Sequence, residues 1–99
     1  MSKRLIIEPE AEADLLEAYQ WYERQRIGLG DDLLLCFEAT IEEICHRPSS
    51  FPIVERNTRR TLLRRFPYFV LFIESASEIS ILGVFHGKRD PKTWRLRTR

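Results

Sequence analysis

Residues 59–89 read RRTLLRRFPYFVLFIESASEISILGVFHGKR, and this stretch decides the fold. Two apolar runs, residues 68–73 and 79–85, are split by the mostly polar residues 74–78. Runs of this kind, rich in Phe, Val, Ile and Tyr and joined by a short polar link, predict a β-hairpin. In an antiparallel hairpin the start of the first strand lies beside the end of the second. Arg59, Arg60, Arg64 and Arg65 stand before the first run, and His86, Lys88 and Arg89 follow the second. The pattern therefore predicts one concentrated basic edge at one end of a sheet. Strict alternation along the second strand puts Leu82, Val84 and His86 on one face, and Ile79, Ile81 and Phe85 on the other.

Working outward, residues 61–66 read as a strand of mixed polarity, and residues 53–55 as an edge segment after the Ser49-Ser50-Phe51-Pro52 turn. Pro67 has no N–H to donate and predicts an interruption or bulge. Upstream, residues 4–7 (RLII) form a first strand that ends at Glu8-Pro9. Pro9 suits the first position of a helix, and Glu10 and Glu12 suit its positive end. Ala11, Leu15, Ala18, Tyr19 and Tyr22 recur at helical spacing, and the helix should end near Gln25, before Gly28-Leu29-Gly30. A second helix is expected from Asp31-Asp32 to Pro48, with Leu34, Phe37, Ile41, Ile44 and Cys45 as its buried stripe. Residues 92–99 form a basic tail too polar for the core. The expected architecture is a single α+β domain over residues 1–99. An N-terminal strand leads into an antiparallel two-helix hairpin packed on one face of a mostly antiparallel sheet of three to four strands, whose other face is open.

The composition, 43% hydrophobic and 11% aromatic in 99 residues, fits one small globular core. No apolar run approaches the ~18 residues of a membrane span, and the N-terminus lacks a signal-peptide core, so the expected location is the cytoplasm. Cys36 and Cys45 fall nine residues apart within one helix and read as small buried hydrophobes. No cysteine or histidine has a second ligand at metal-binding spacing, so no metal and no cofactor are expected. No serine lies in a GxSxG context, and four glycines make no phosphate loop. His46 reads as a partner for the helix C-terminus. The net charge of +1 hides an asymmetry. Residues 1–46 carry four Lys/Arg against eleven Asp/Glu, a balance of −7; residues 47–99 carry twelve against four, a balance of +8. Such a dipolar domain suits a nucleic acid or the charged face of another protein.

These residues are similar to the RelE/ParE superfamily of toxins from bacterial type II toxin–antitoxin modules, on its ParE side. The resemblance covers nearly the whole chain: Ala11 to Leu15, Trp21-Tyr22-Glu23, the Gly28-Leu29-Gly30 link and Pro48 to Pro52. It is sharpest at Arg59-Arg60, Arg65-Phe66-Pro67-Tyr68, Ile81 to His86, Arg89-Asp90-Pro91 and Trp94. It implies a toxin neutralised by a small antitoxin encoded next to it, the arrangement of plasmid-stabilization modules. It also implies a choice of targets.

In the ParE-like case the toxin is a binding protein that poisons DNA gyrase. Arg59, Arg60, Lys88, Arg89 and Arg95 would meet phosphates or acidic side chains, with the Trp94 indole as an anchor. In the RelE-like case it is a metal-independent endoribonuclease acting on mRNA in the ribosome. His86 would then move the proton, and Arg59, Arg65 and Arg89 would stabilise phosphate charge. Against that case, no tyrosine follows Tyr68, and Lys88 and Lys92 are the only lysines of the basic half. A third possibility is a non-toxic, partner-binding module of the same fold.

Overall fold

A computed structural model describes residues 3–99. Strand β1 (Arg4–Ile7) leads into helices α1 (Pro9–Gln25) and α2 (Leu29–His46). A 3-10 turn at Pro48–Ser50 follows, then strands β2 (Ile53–Glu55), β3 (Thr58–Leu62), β4 (Tyr68–Glu74) and β5 (Glu78–His86), and a short helix α3 (Pro91–Arg95). The sheet has five strands in the order β1-β5-β4-β3-β2. Every pairing is antiparallel except β1 with β5, which is parallel. The expected α+β fold is present, with a wider, mixed sheet.

Helix α2 begins two residues earlier than its acidic pair predicts. Gly28 takes the left-handed conformation (φ 93°), and the Glu23 carboxylate accepts the N–H groups of Gly28 and Gly30, both at 2.9 Å. One side chain thereby satisfies two orphan donors at the helix start. A Cβ on Gly30 would approach the Glu23 and Tyr19 side chains to 2.7 Å, so glycine is needed for the two helices to meet. The buried stripe of α2 contains Leu33, Phe37, Ile41 and Ile44; Leu34 is only half-buried and Cys45 is exposed. The expectation for those two residues is corrected by one step of helical phase.

Helix residues Ala11, Ala18, Leu33, Phe37 and Ile44 close over Val70, Phe72, Ile79, Ile81 and Val84 to form the main core. The reverse face is covered rather than open. Phe69, Leu71, Leu82, Phe85 and Trp94 form a second core there. The cover is the C-terminal segment, which runs through α3 to Arg99. Its end is strapped to β3: the Arg99 N–H donates to Thr58 Oγ1 at 2.9 Å, and the Asn57 N–H donates to the Arg99 carbonyl at 2.8 Å.

Strict alternation along β5 also fails. Leu71 pairs Gly83 whereas Phe72 pairs Ile81, so Leu82 is an extra residue in β5. A bulge of this kind resets the side-chain phase. Ile79, Ile81 and Val84 therefore face the helices, while Leu82 and Phe85 face the tail. In β3 the ladder ends at Leu62, earlier than the expected 61–66 run. Arg65 at φ 70° and a Tyr68 N–H to Phe66 carbonyl bond of 2.8 Å turn the chain there. Pro67 lies in that turn, where its missing N–H costs no ladder bond.

Candidate functional site

The sheet register divides the basic residues. Arg59 stands opposite Phe72 on β4, while His86 stands opposite Tyr68, four residues further along that strand. The two are about 13 Å apart along the sheet. Arg59 lies on the helix side, and its Nη1 donates to the Phe51 carbonyl at 2.6 Å and the Ser49 carbonyl at 3.3 Å. Arg60 lies on the reverse face with its guanidinium 4.1 Å from the Phe69 ring centroid. The single basic edge is thus corrected: Arg59 and Arg60 do not join His86.

Arg64 and Arg65 do lie near the His86 end, but each leans on a helix carboxylate, Glu43 at 3.9 Å and Asp32 at 3.8 Å respectively. Arg95 bonds Glu55 at 3.2 Å. Trp94, expected as an exposed anchor, is only 8% exposed and stacks edge-on against Phe69. Its indole is core, so it presents no anchor to a partner.

What remains at the His86 end is a cleft of about 400 Å³ between the later turns of α1 and the end of the β4–β5 hairpin. An aromatic row forms one wall: Trp21 packs on Tyr22, Tyr22 on Tyr68, and Tyr68 on His86, with ring centroids 4.9, 6.1 and 5.2 Å apart. Charged residues of both signs, Asp14, Glu17, Arg24 and Arg89, also line the cleft, with Ala18 and Val84. Trp21 is 49% exposed, and its helical position beside the polar stripe places it at the mouth. The Tyr68–His86 pair exists because these residues end facing strands in register.

The chemistry of the cleft follows from its protonation. Burial, then the neighbouring Tyr22 and Glu17, push the Tyr68 hydroxyl above its usual pKa of 10, against a smaller opposing effect of Arg89. Burial raises Tyr22 as well. In both tyrosines, burial thus works against ionisation of the hydroxyl. His86 Nδ1 accepts the Lys88 N–H at 3.1 Å, which fixes the ring against the turn after β5. Among the described residues, Lys88 and Arg89 make no ion pair. No group of three or more His, Cys, Asp and Glu side chains among them could hold a metal ion.

The set proposed from sequence for RNA cleavage is therefore only partly assembled. His86 and Arg89 share the cleft, Arg59 is remote, and Arg65 is turned toward Asp32. Glu17, Arg24 and Tyr22 read in the sequence as helix residues and not as cleft residues; the helical spacing that buries Tyr22 is the available signal. Residues 5–91 match the family model described as "ParE toxin of type II toxin-antitoxin system, parDE". The chain belongs to the ParE toxin family.

Two relatives agree with that assignment. The proteins named Toxin ParE2 of Mycobacterium tuberculosis strains CDC 1551/Oshkosh and ATCC 25618/H37Rv are each 32% identical over 92 residues. The alignment covers 92% of this chain and 88% of the relative. A solved chain of the "Chromosomal ParDE TA system from P. aeruginosa" superposes with a TM-score of 0.71 at 20% identity, over 86% of this chain and 96% of that one. This likeness speaks to the fold. Membership in a ParDE family implies an antitoxin as partner. Among the described residues no helix is long and apolar enough to cross a membrane.

Proposed function

We propose that this ParE-family chain inhibits growth by binding and poisoning DNA gyrase, acting in the cytoplasm as a single-domain binding protein under the control of an antitoxin encoded beside it. The observation that supports docking over RNA cleavage is the state of the His86 end. Of the three arginines that cleavage would use, only Arg89 shares the cleft with His86, while Arg59 and Arg65 are held elsewhere. Lys88 and Arg89 make no ion pair among the described residues. Cations without a close ion pair, beside an aromatic cleft, suit contact with phosphate or acidic side chains at a protein–DNA target.

The test is a supercoiling reaction with purified gyrase, relaxed plasmid and ATP. The chain should block supercoiling and leave linear DNA after detergent and protease treatment, and added antitoxin should reverse both effects. Unaffected supercoiling would overturn the proposal. Growth arrest with new mRNA ends inside codons would then point to RNA cleavage at His86 and Arg89, and unimpaired growth to a partner-binding module.

A further inference from the structure

The other end of the sheet carries a feature that the toxin reading does not use. Strand β1 is an outer strand. Its bonds to β5 include the Arg4 N–H to the Ser77 carbonyl and the Glu8 N–H to the Ile81 carbonyl, both 3.0 Å. Residues of that parity point their backbone groups at β5. Leu5 and Ile7, of the opposite parity, direct N–H and C=O away from the sheet, where no strand among the described residues covers them. An open strand edge is a template for another strand.

Which strand it fits can be read from residues 4–8, Arg-Leu-Ile-Ile-Glu. Laid antiparallel against itself about Ile6, this segment is complementary at every position. Arg4 faces Glu8 of a second copy, Leu5 faces Ile7, and Ile6 faces Ile6. The hydrogen-bonded pairs of that register are the two Leu5–Ile7 pairs, whose backbone groups are the free ones, giving four bonds across the two-fold axis. Pro9 has no N–H and stops the ladder after Glu8. The side chains agree with the register. Leu5 is 39% exposed on the helix side, next to Ile7 at the core margin, so pairing would cover it. Arg4 has a side chain 77% exposed and held only loosely by Glu78 at 3.9 Å. The Glu8 carboxylate it would face accepts from Arg99 of its own copy at 3.0 Å and would be shared between the two arginines. The opposite outer strand, β2, lacks such complementarity, because it has only three residues, Ile53-Val54-Glu55, and self-pairing about Val54 would set Ile53 against Glu55.

We propose that β1 is a homodimerisation edge, through which two copies of this chain join their sheets into one of ten strands. The contact is short, at the small end of specific interfaces, so the dimer is one that forms and dissociates with concentration.

The test is sedimentation equilibrium of the full chain, free of antitoxin, from about 5 μM to about 1 mM. Leu5→Pro removes an outward N–H, leaves the β5 ladder intact and is tolerated on an outer strand. It deletes two of the four intermolecular bonds and should raise the dissociation constant at least ~10-fold. Because that variant tests backbone pairing alone, charge reversal provides a second readout. Arg4→Glu should weaken the dimer and leave the fold of each copy unchanged, because Arg4 is exposed and its ion pair with Glu78 is long. Glu8 is kept because it also holds Arg99. In the unmodified protein the Leu5 and Ile7 amides should exchange more slowly as concentration rises. A monomer over the whole range, a dimer indifferent to these substitutions, or amides protected only when antitoxin is added would each overturn the proposal.

Discussion

Replacing Asp14 tests whether the tail is part of the fold or an appendage. The Asp14 carboxylate accepts the Arg97 guanidinium in a two-pronged pair, at 2.8 Å and 3.0 Å, and also the Val84 N–H of β5 at 3.0 Å. Arg97 donates further to the Leu82 carbonyl at 3.1 Å and lies over the Phe85 ring at 4.9 Å. One ion pair thus joins α1, the bulge of β5 and the tail. The two side chains are 28% and 17% exposed, so solvent screens them only in part. Removing one partner of a buried pair costs about 3–5 kcal/mol; discounted for this exposure, Asp14→Ala should cost about 2–4 kcal/mol. With a urea dependence of about 2 kcal/mol per molar, the unfolding midpoint should fall by about 1–2 M. The cycle of Asp14→Asn, Arg97→Met and the double variant should show a coupling of about 1–3 kcal/mol. A loss under about 0.5 kcal/mol for Asp14→Ala, within the range of an ordinary surface change, or strict additivity in the cycle, would refute the reasoning.

Gly83→Ala should destabilise by about 1–3 kcal/mol in thermal melts, because the added Cβ would run into the Phe85 ring and lie 3.0 Å from Arg97 Nη1. The Glu74 carboxyl is held below its usual pKa of 4.5, chiefly by the hydrogen bond from Lys3 Nζ at 2.7 Å. A depressed carboxyl pKa adds stability that is complete above the unfolded value and lost as pH falls through the folded one. The urea midpoints of the native chain and Lys3→Met should therefore converge as pH falls below 4.5; a gap that stays constant down to about pH 3 would contradict this. Lys88→Ala with Arg89→Ala should abolish growth inhibition at equal expression with an unchanged melting temperature. Arg59→Ala should instead lower stability by about 1 kcal/mol or more, since it leaves the Phe51 and Ser49 carbonyls without their donor.

Much of the fold is legible in the sequence because it rests on local periodicity. The β4–β5 hairpin is written as two β-branched and aromatic runs, and the helices as apolar stripes with acidic first turns. What escapes is set by partners distant in sequence. The bulge at Leu82 leaves the residue pattern of β5 looking like an uninterrupted alternation. Only the pairing of Leu71 with Gly83 and Phe72 with Ile81 reveals the change of phase. The tail escapes for a related reason. Its polar composition suggests solvent, yet Trp94 finds Phe69, and Arg97 and Arg99 find Asp14 and Glu8 more than eighty residues away. Long arginines bury their stems and keep their charge satisfied, so hydropathy misjudges them.

The same property explains why the site is harder to read than the fold. Arginine is both a phosphate ligand and a structural side chain, and the sequence RRTLLRRF does not separate the two uses. The structure does so by asking what each guanidinium already holds. Arg59 serves two carbonyls of the turn after α2, Arg60 covers Phe69, and Arg64 and Arg65 lean on helix carboxylates. A cation whose electrostatic partner is internal contributes little to a target. Lys88 and Arg89, in the short turn after β5, are different, because neither makes an ion pair among the described residues. Their charge, set beside an aromatic cleft that Arg59 and Arg65 do not enter, favours recognition of a charged surface over bond cleavage.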